Sequence, residues 1–154
     1  NDSLTAGAGA DVFSSGTTLV AGSTSAAAAG EAVDVAASIG ADVITNFTVA
    51  DDQFELSETI FGLMGNGVTA EGGNPNAFLA VADGATTVAG LGITATSGGI
   101  VHVLDEGLYF IEKNATLGAA GVDGIAATEK ALIATLPSAS VTGTLAATDF
   151  DIVA

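Results

Sequence analysis

The 154-residue sequence has no cysteine, no tryptophan and no arginine, and it holds only two lysines (Lys113 and Lys130), two prolines and one histidine, His102. Without cysteine there is no disulfide framework, thiolate metal site or cysteine nucleophile. Eighteen acidic residues face those two cations, for a formal net charge of −16. A surface of that sign repels phosphate along its whole extent, which excludes nucleic acid as a partner and disfavours anionic membrane surfaces. No apolar run approaches the roughly 20 residues that cross a bilayer, so membrane insertion is not expected. No basic-then-apolar leader opens the sequence either.

What is present is equally uneven. Hydrophobic residues make up 49% and mean hydropathy is +0.59, yet aromatics reach only 5% and glycine alone numbers 21. A disordered acidic tail is poor in apolar residues, so this is a folding chain. Its apolar mass is Ala, Val, Ile and Leu, which suits thin, closely spaced layers. One domain over residues 1–154 is expected, burying roughly two thirds of the unfolded chain's surface.

Short β-rich runs between turn signals dominate: Asp42–Phe47, Gln53–Leu56, Phe78–Val81, Ile100–Leu104, Leu108–Ile111, Ala131–Leu136 and Phe150–Val153. The runs at 100–104 and 108–111 read as a hairpin whose turn, Asp105-Glu106-Gly107, ends in a glycine able to take a positive φ. Helices are expected only at Ala26–Ala29 into Glu31–Ser38 and at Ile125–Ala131, with a 3₁₀ turn within Ser138–Thr148. Gly-rich segments 62–73 and 84–99 read as loops and edge strands, and the uncharged Val88–Gly99 stretch as a packed or self-associating surface.

The first thirteen residues carry the most specific local pattern. Asn-Asp-x-Leu-x is followed by Ala-Gly-x-Gly-x-Asp-x-Phe, placing Asp2 and Asp11 at equivalent positions nine residues apart. Glycines let the backbone turn with positive φ and present carbonyl oxygens, and each aspartate adds a carboxylate. The alternative is an ordinary Gly-rich turn with a capping aspartate. The pattern resembles the nonapeptide repeat Gly-Gly-x-Gly-x-Asp-x-(apolar)-x of RTX proteins, with Ala6 in place of the first glycine.

A second segment, Asp42 to Ser57, is similar to the stretch that follows such repeats, Asp-x-Ile-x-Asp-Phe-x-x-Gly-x-Asp-x-Ile-Asp-Leu-Ser. Asp42 and Asp52 match; Asn46, Ala50 and Glu55 replace Asp, Gly and Asp. Gly107-Leu108-Tyr109-Phe110 resembles a later strand of the same module, and 131–136 with 145–153 resembles its ending. The resemblance is to the RTX, or haemolysin-type calcium-binding, C-terminal region of type I-secreted bacterial proteins.

That resemblance implies an all-β fold: a short parallel β-roll over residues 1–15 leading into a β-sandwich-like module over 16–154, with few short helices and an uncleaved C-terminal export signal read by type I secretion machinery. It implies Ca²⁺ held by Asp2 and Asp11 with carbonyls of Gly7 and Gly9, and by Asp42, Asn46, Asp51 and Asp52 near the second segment. Charge argues in the same direction, because Ca²⁺ would relieve the self-repulsion of a chain at −16 and stabilise only the folded form. A high-salt habitat would also suit such a surface.

Other candidate sites are weak. Gly90–Ala95 nominally fits a dinucleotide fingerprint but lacks a following helix or a βαβ unit. His102 shares a strand face with Ile100 and Leu104 and reads as a half-buried structural residue; Asp105 and Glu106 read as a solvated turn. Asn1, Asn46 and Asn114 meet the glycosylation pattern, unused in a bacterial secretion route. No Gly-x-Ser-x-Gly elbow occurs, so no enzyme is expected. The expected function is an extracellular calcium-binding structural domain that self-associates through Ca-bridged or edge-strand contacts into a surface layer, filament or matrix. The alternative is the folding and secretion module of a larger protease, lipase or adhesin, a reading favoured by the opening in mid-repeat.

Overall fold

The computed structural model describes residues 2–14, 31–62, 70–71, 74–75, 78–81, 99–112, 115 and 121–153. Among the described residues there are thirteen strands: β1 (Ser3–Thr5), β2 (Val12–Ser14), β3 (Asp42–Thr45), β4 (Phe47–Thr48), β5 (Gln53–Ser57), β6 (Ala70–Glu71), β7 (Asn74–Pro75), β8 (Phe78–Val81), β9 (Gly99–Val103), β10 (Gly107–Ile111), β11 (Lys130–Thr135), β12 (Val141–Thr142) and β13 (Phe150–Val153). One α-helix, α1 (Glu31–Ile39), a π turn at Glu58–Gly62 and 3₁₀ turns at Gly121–Gly124, Ser138–Ser140 and Ala147–Asp149 complete the described elements. The fold is mainly β, as composition indicates. Ala26–Ala29, the 84–98 stretch and the fingerprint Gly90–Ala95 lie outside the described residues.

Three passes of the chain lie on one another. The large sheet has the order β1-β3-β11-β10-β9-β8, and β1, β3 and β11 run parallel within it. A second sheet, β13-β5-β2, is parallel throughout, and β4 and β12 form a parallel pair. Each pass thus contributes one strand to each of the two larger sheets: residues 3–14, then 42–57, then 130–153. The alternation of buried and part-exposed positions in β5 and β11 is what two packed sheets require of their strands.

Phenylalanines align across the passes. Register sets Phe13, Phe54 and Phe150 side by side, and the Phe54 ring stacks on Phe150 at 5.2 Å and on Phe47 at 4.7 Å. Phe13 closes the group at 5.8 Å from Phe47 and 6.0 Å from Phe54. Four of the chain's seven phenylalanines meet here, which places much of the aromatic burial at the inter-pass contacts. Each fully buried ring contributes about 1.5–3 kcal/mol.

Strands β9 and β10 are buried on both faces, with Ile100, Leu108 and Phe110 in the main core and Val101, Val103 and Ile111 in a second cluster with Val122 and Ile125. Their hairpin closes at Val103 and Gly107, so the loop is Leu104–Glu106, and positive φ falls both on Gly107 (157°), as expected, and on Asp105 (66°). Gly107 is required for a second reason as well: a Cβ there would collide with the carbonyl oxygen of Ala134 on β11.

Helix α1 forms where expected, burying Ala32 and Val35 and packing Ile39 against the core, and it ends at Gly40 with φ 64°. The helix expected at Ile125–Ala131 does not form. Glu129 N–H closes a turn on Ala126 O at 2.9 Å, and Lys130 then enters β11 opposite Ile111. Ala131 and Ile133 are buried with period two, so sheet pairing overrides the helical preference of the alanines. The 3₁₀ turn expected within Ser138–Thr148 occurs at Ser138–Ser140.

Candidate functional site

The expected cation ligands fall at two corners of the first two passes. Pairing of Ser3 with Val43 sets Asp2 beside Asp42, ahead of the strands, and Asp2 N–H donates to Asp42 Oδ1 at 2.7 Å. Pairing of Val12 with Gln53 sets Asp11 beside Asp52 at the turn before β2 and β5. Roughly 3.3 Å of rise per residue across β1 separates the two corners.

At the second corner each aspartate closes its own turn. Gly7 N–H donates to Asp11 Oδ2 at 2.7 Å, and Thr48 N–H donates to Asp52 Oδ2 at 2.8 Å, both spanning four residues. Asp52 also binds across passes, its Oδ1 accepting Asp11 N–H at 3.0 Å, while Gln53 N–H donates to Asp11 O at 2.9 Å. Asp52 is buried, and its carboxylate is held by main-chain donors from two passes. Charge-assisted bonds of this kind are the strong class.

The remaining expected ligands are spread around these corners. Gly9 is exposed at the turn tip with φ 99°, and a Cβ there would meet nothing within 4 Å, so conformation and not space calls for glycine. Asn46 takes φ 61° at the bend between β3 and β4 and is exposed. Asp51 is exposed, its N–H donating to Thr48 O at 2.9 Å. Among the described residues no group of three or more His, Cys, Asp or Glu side chains converges as a metal site. The donors present are all oxygen, the kind Ca²⁺ takes, with two carboxylates at each corner; a shell of 6–8 oxygens needs main-chain carbonyls or water as well.

Asp149 was not singled out by its spacing, yet it closes the corresponding turn of the third pass. Ala146 N–H donates to its Oδ2 at 2.7 Å over three residues, one fewer than in the other turns. The Asp-x-Phe spacing that marks Asp11 and Asp52 is Asp-Phe here, which hides the equivalence. Burial raises the Asp149 pKa, opposed by the Ala146 N–H.

Two other buried groups were missed or underestimated. Glu112, fully inside, accepts Ala32 N–H on Oε2 at 3.2 Å and so ties the first turn of α1 to the end of β10. His102, expected half-buried, is only 2% exposed, and its Nε2 has no hydrogen-bond partner among the described residues. Leu104 does not share its face as expected but lies exposed in the loop.

Burial lowers the His102 pKa below 6.5. The unfolded chain therefore binds more protons in the window from 6.5 down to the depressed folded value, and stability falls as pH drops through that window. Urea titrations from pH 7.5 to 5 should show this loss, and His102→Leu should flatten it relative to the parent; an unaltered profile contradicts the assignment.

Asp105 and Glu106 are exposed in the hairpin loop as expected, with Tyr109 Oη donating to Glu106 Oε2 at 3.3 Å. Lys130 donates from Nζ to Val122 O at 2.8 Å and lies 5.7 Å from the Tyr109 ring centroid. No helix among the described residues is long and apolar enough to cross a membrane. No family model, curated protein or solved structure matches the chain.

Proposed function

We propose that the protein is a calcium-binding structural domain of the extracellular or cell-surface space, a short parallel β-roll joined to a β-sandwich-like module. It leaves the cell by a type I route and self-associates through Ca-bridged or edge-strand contacts. The observation that carries this reading is the stacking of aspartates in register, Asp2 on Asp42 and Asp11 on Asp52, in passes that also align their phenylalanines. Such stacking concentrates negative charge at two corners of a chain already at −16, where a hard cation relieves repulsion. Carboxylates of Asp2, Asp42, Asp11 and Asp52, with the carbonyls of Gly7 and Gly9 and the side chains of Asn46 and Asp51, are the donors for it.

The second reading, a folding and secretion module of a larger secreted protein, is favoured by the asymmetry of the stack. Its third pass is covered on the large sheet by β10, whereas among the described residues no strand covers its first.

Calcium titration of the chelated protein, followed by near-ultraviolet dichroism and by sizing, tests the proposal. Order gained at 10⁻⁴–10⁻³ M Ca²⁺, the range of extracellular calcium modules, is the expected result. Asp11→Ala should raise the calcium midpoint. Full order in chelator with no response to Ca²⁺ removes the calcium reading, and a monomer under both conditions removes self-association.

A further inference from the structure

The first pass leaves the stack open on one side. Among the described residues no strand lies beyond β1 or β2, and Ser3, Leu4, Thr5 and Val12 are exposed, Leu4 to 38% and Val12 to 54%. Strand alternation turns a set of main-chain groups toward that side. Ala6 N–H donates inward to Thr45 O, and Asp11 uses both its N–H and its carbonyl inward, on Asp52 Oδ1 and Gln53 N–H. Successive residues of a strand present these groups to opposite sides, so those of Ser3, Thr5 and Val12 face outward.

The aspartates add a directional rule. Twice, the carboxylate of one pass accepts the N–H of the aspartate in the pass outside it: Asp42 Oδ1 from Asp2 at 2.7 Å, and Asp52 Oδ1 from Asp11 at 3.0 Å. Asp11 repeats the self-closing half of the Asp52 pattern, with Gly7 N–H in the role of Thr48 N–H. Asp2 and Asp11 therefore stand in the outermost pass where Asp42 and Asp52 stand in the second.

The same topology limits what can occupy this edge. A second copy stacked head to tail would have to extend both sheets, but the far edge of β11 is already taken by β10. A copy related by a two-fold axis that keeps both sheets continuous would run antiparallel to β1 and β2. That pairing does not set aspartate N–H groups on both carboxylates together.

We propose that the β1–β2 edge is a docking surface for one parallel strand–turn–strand segment carrying two Asp-x-apolar units spaced as in residues 2–13. Its two aspartate N–H groups seat on the carboxylates of Asp2 and Asp11, and its apolar residues cover Leu4 and Phe13. The proposal rests on the stacked passes of the function proposed above and not on their calcium.

To test it, a copy of residues 2–14 is joined ahead of the full chain through a flexible Gly/Ser linker of about 20 residues, which raises its effective concentration to the millimolar range. Amide exchange at Thr5 and Val12 is then compared with that of the unextended chain. Docking slows exchange at both by about tenfold or more, and Asp2→Ala in the host removes about tenfold of that protection. Serine at the two apolar positions of the added copy abolishes it. Unchanged exchange overturns the proposal, as does protection indifferent to Asp2→Ala. Protection that rises with protein concentration in the unextended chain also overturns it and assigns the edge to a second copy. All arms are run at saturating calcium, so failure of the calcium reading appears only in the chelator titration.

Discussion

Replacing Phe54 by alanine should lower the unfolding free energy by about 3–5 kcal/mol, the largest loss expected from any single truncation in this chain. The ring is 2% exposed, lies between Phe47 and Phe150 in near-parallel stacks (17° and 10° between planes) and also meets Phe13. Its removal opens a cavity among rings contributed by all three passes. Because β2, β5 and β13 pair only with one another in their sheet, neighbouring strands cannot easily shift to fill it. Phe13→Ala should cost less, since that ring is half-buried on the outer pass. Urea denaturation of both variants checks the order, and equal losses would show that the aromatic row is not centred on Phe54.

The second large effect is expected at Asp52. Asp52→Ala strips the acceptor from Thr48 N–H and Asp11 N–H together, in a part-buried setting. Leaving two such donors unsatisfied costs about 2–4 kcal/mol. Asp52→Asn keeps one acceptor oxygen and should lose roughly half as much. The measurement is urea unfolding in chelator and again at saturating Ca²⁺. A penalty of the same size in both identifies turn closure as the sole role, whereas a penalty that grows with Ca²⁺ adds metal ligation. A variant as stable as the parent in both media contradicts both roles.

The raised pKa of Asp149 predicts a contrasting pH response. Its folded form holds a proton that the unfolded chain releases, so this residue's contribution grows more favourable as pH falls through the raised value toward 3.8. Asp149→Asn keeps an oxygen for Ala146 N–H and removes the buried charge. Its stability at pH 7 should equal or exceed the parent's by urea unfolding; a clear loss would show that the charge itself is needed.

Much of the sheet content was legible because apolar residues alternate or run in short blocks between turns. Gln53–Leu56, Phe78–Val81, Leu108–Ile111 and Phe150–Val153 all lie in strands. The sequence groups Asp2 with Asp11, whereas the structure sets Asp2 beside Asp42 and Asp11 beside Asp52. The aspartates themselves were legible, since Asp-x-apolar recurs at all four positions. Their work in the fold was not. A carboxylate that closes a turn and one that awaits a cation share the same spacing, and only the distances to Gly7, Thr48 and Asp11 N–H reveal the first role. His102 shows the same limit: alternation places it on the Ile100 face, but does not reveal that the strand is flanked on both sides, by Ala80 of β8 and Leu108 of β10.

By itself the sequence determined the class of chain: strongly acidic, free of thiols, able to fold, and built of strands, because charge, composition and period are local properties that need no partner. Tertiary structure alone decided that residues 3–14, 42–57 and 130–153 stack as equivalent passes, that β10 closes one end, and that β1 and β2 leave the other open among the described residues. Those facts depend on contacts across 40 residues and more, where the free energy of pairing and not the order of residues selects the neighbour.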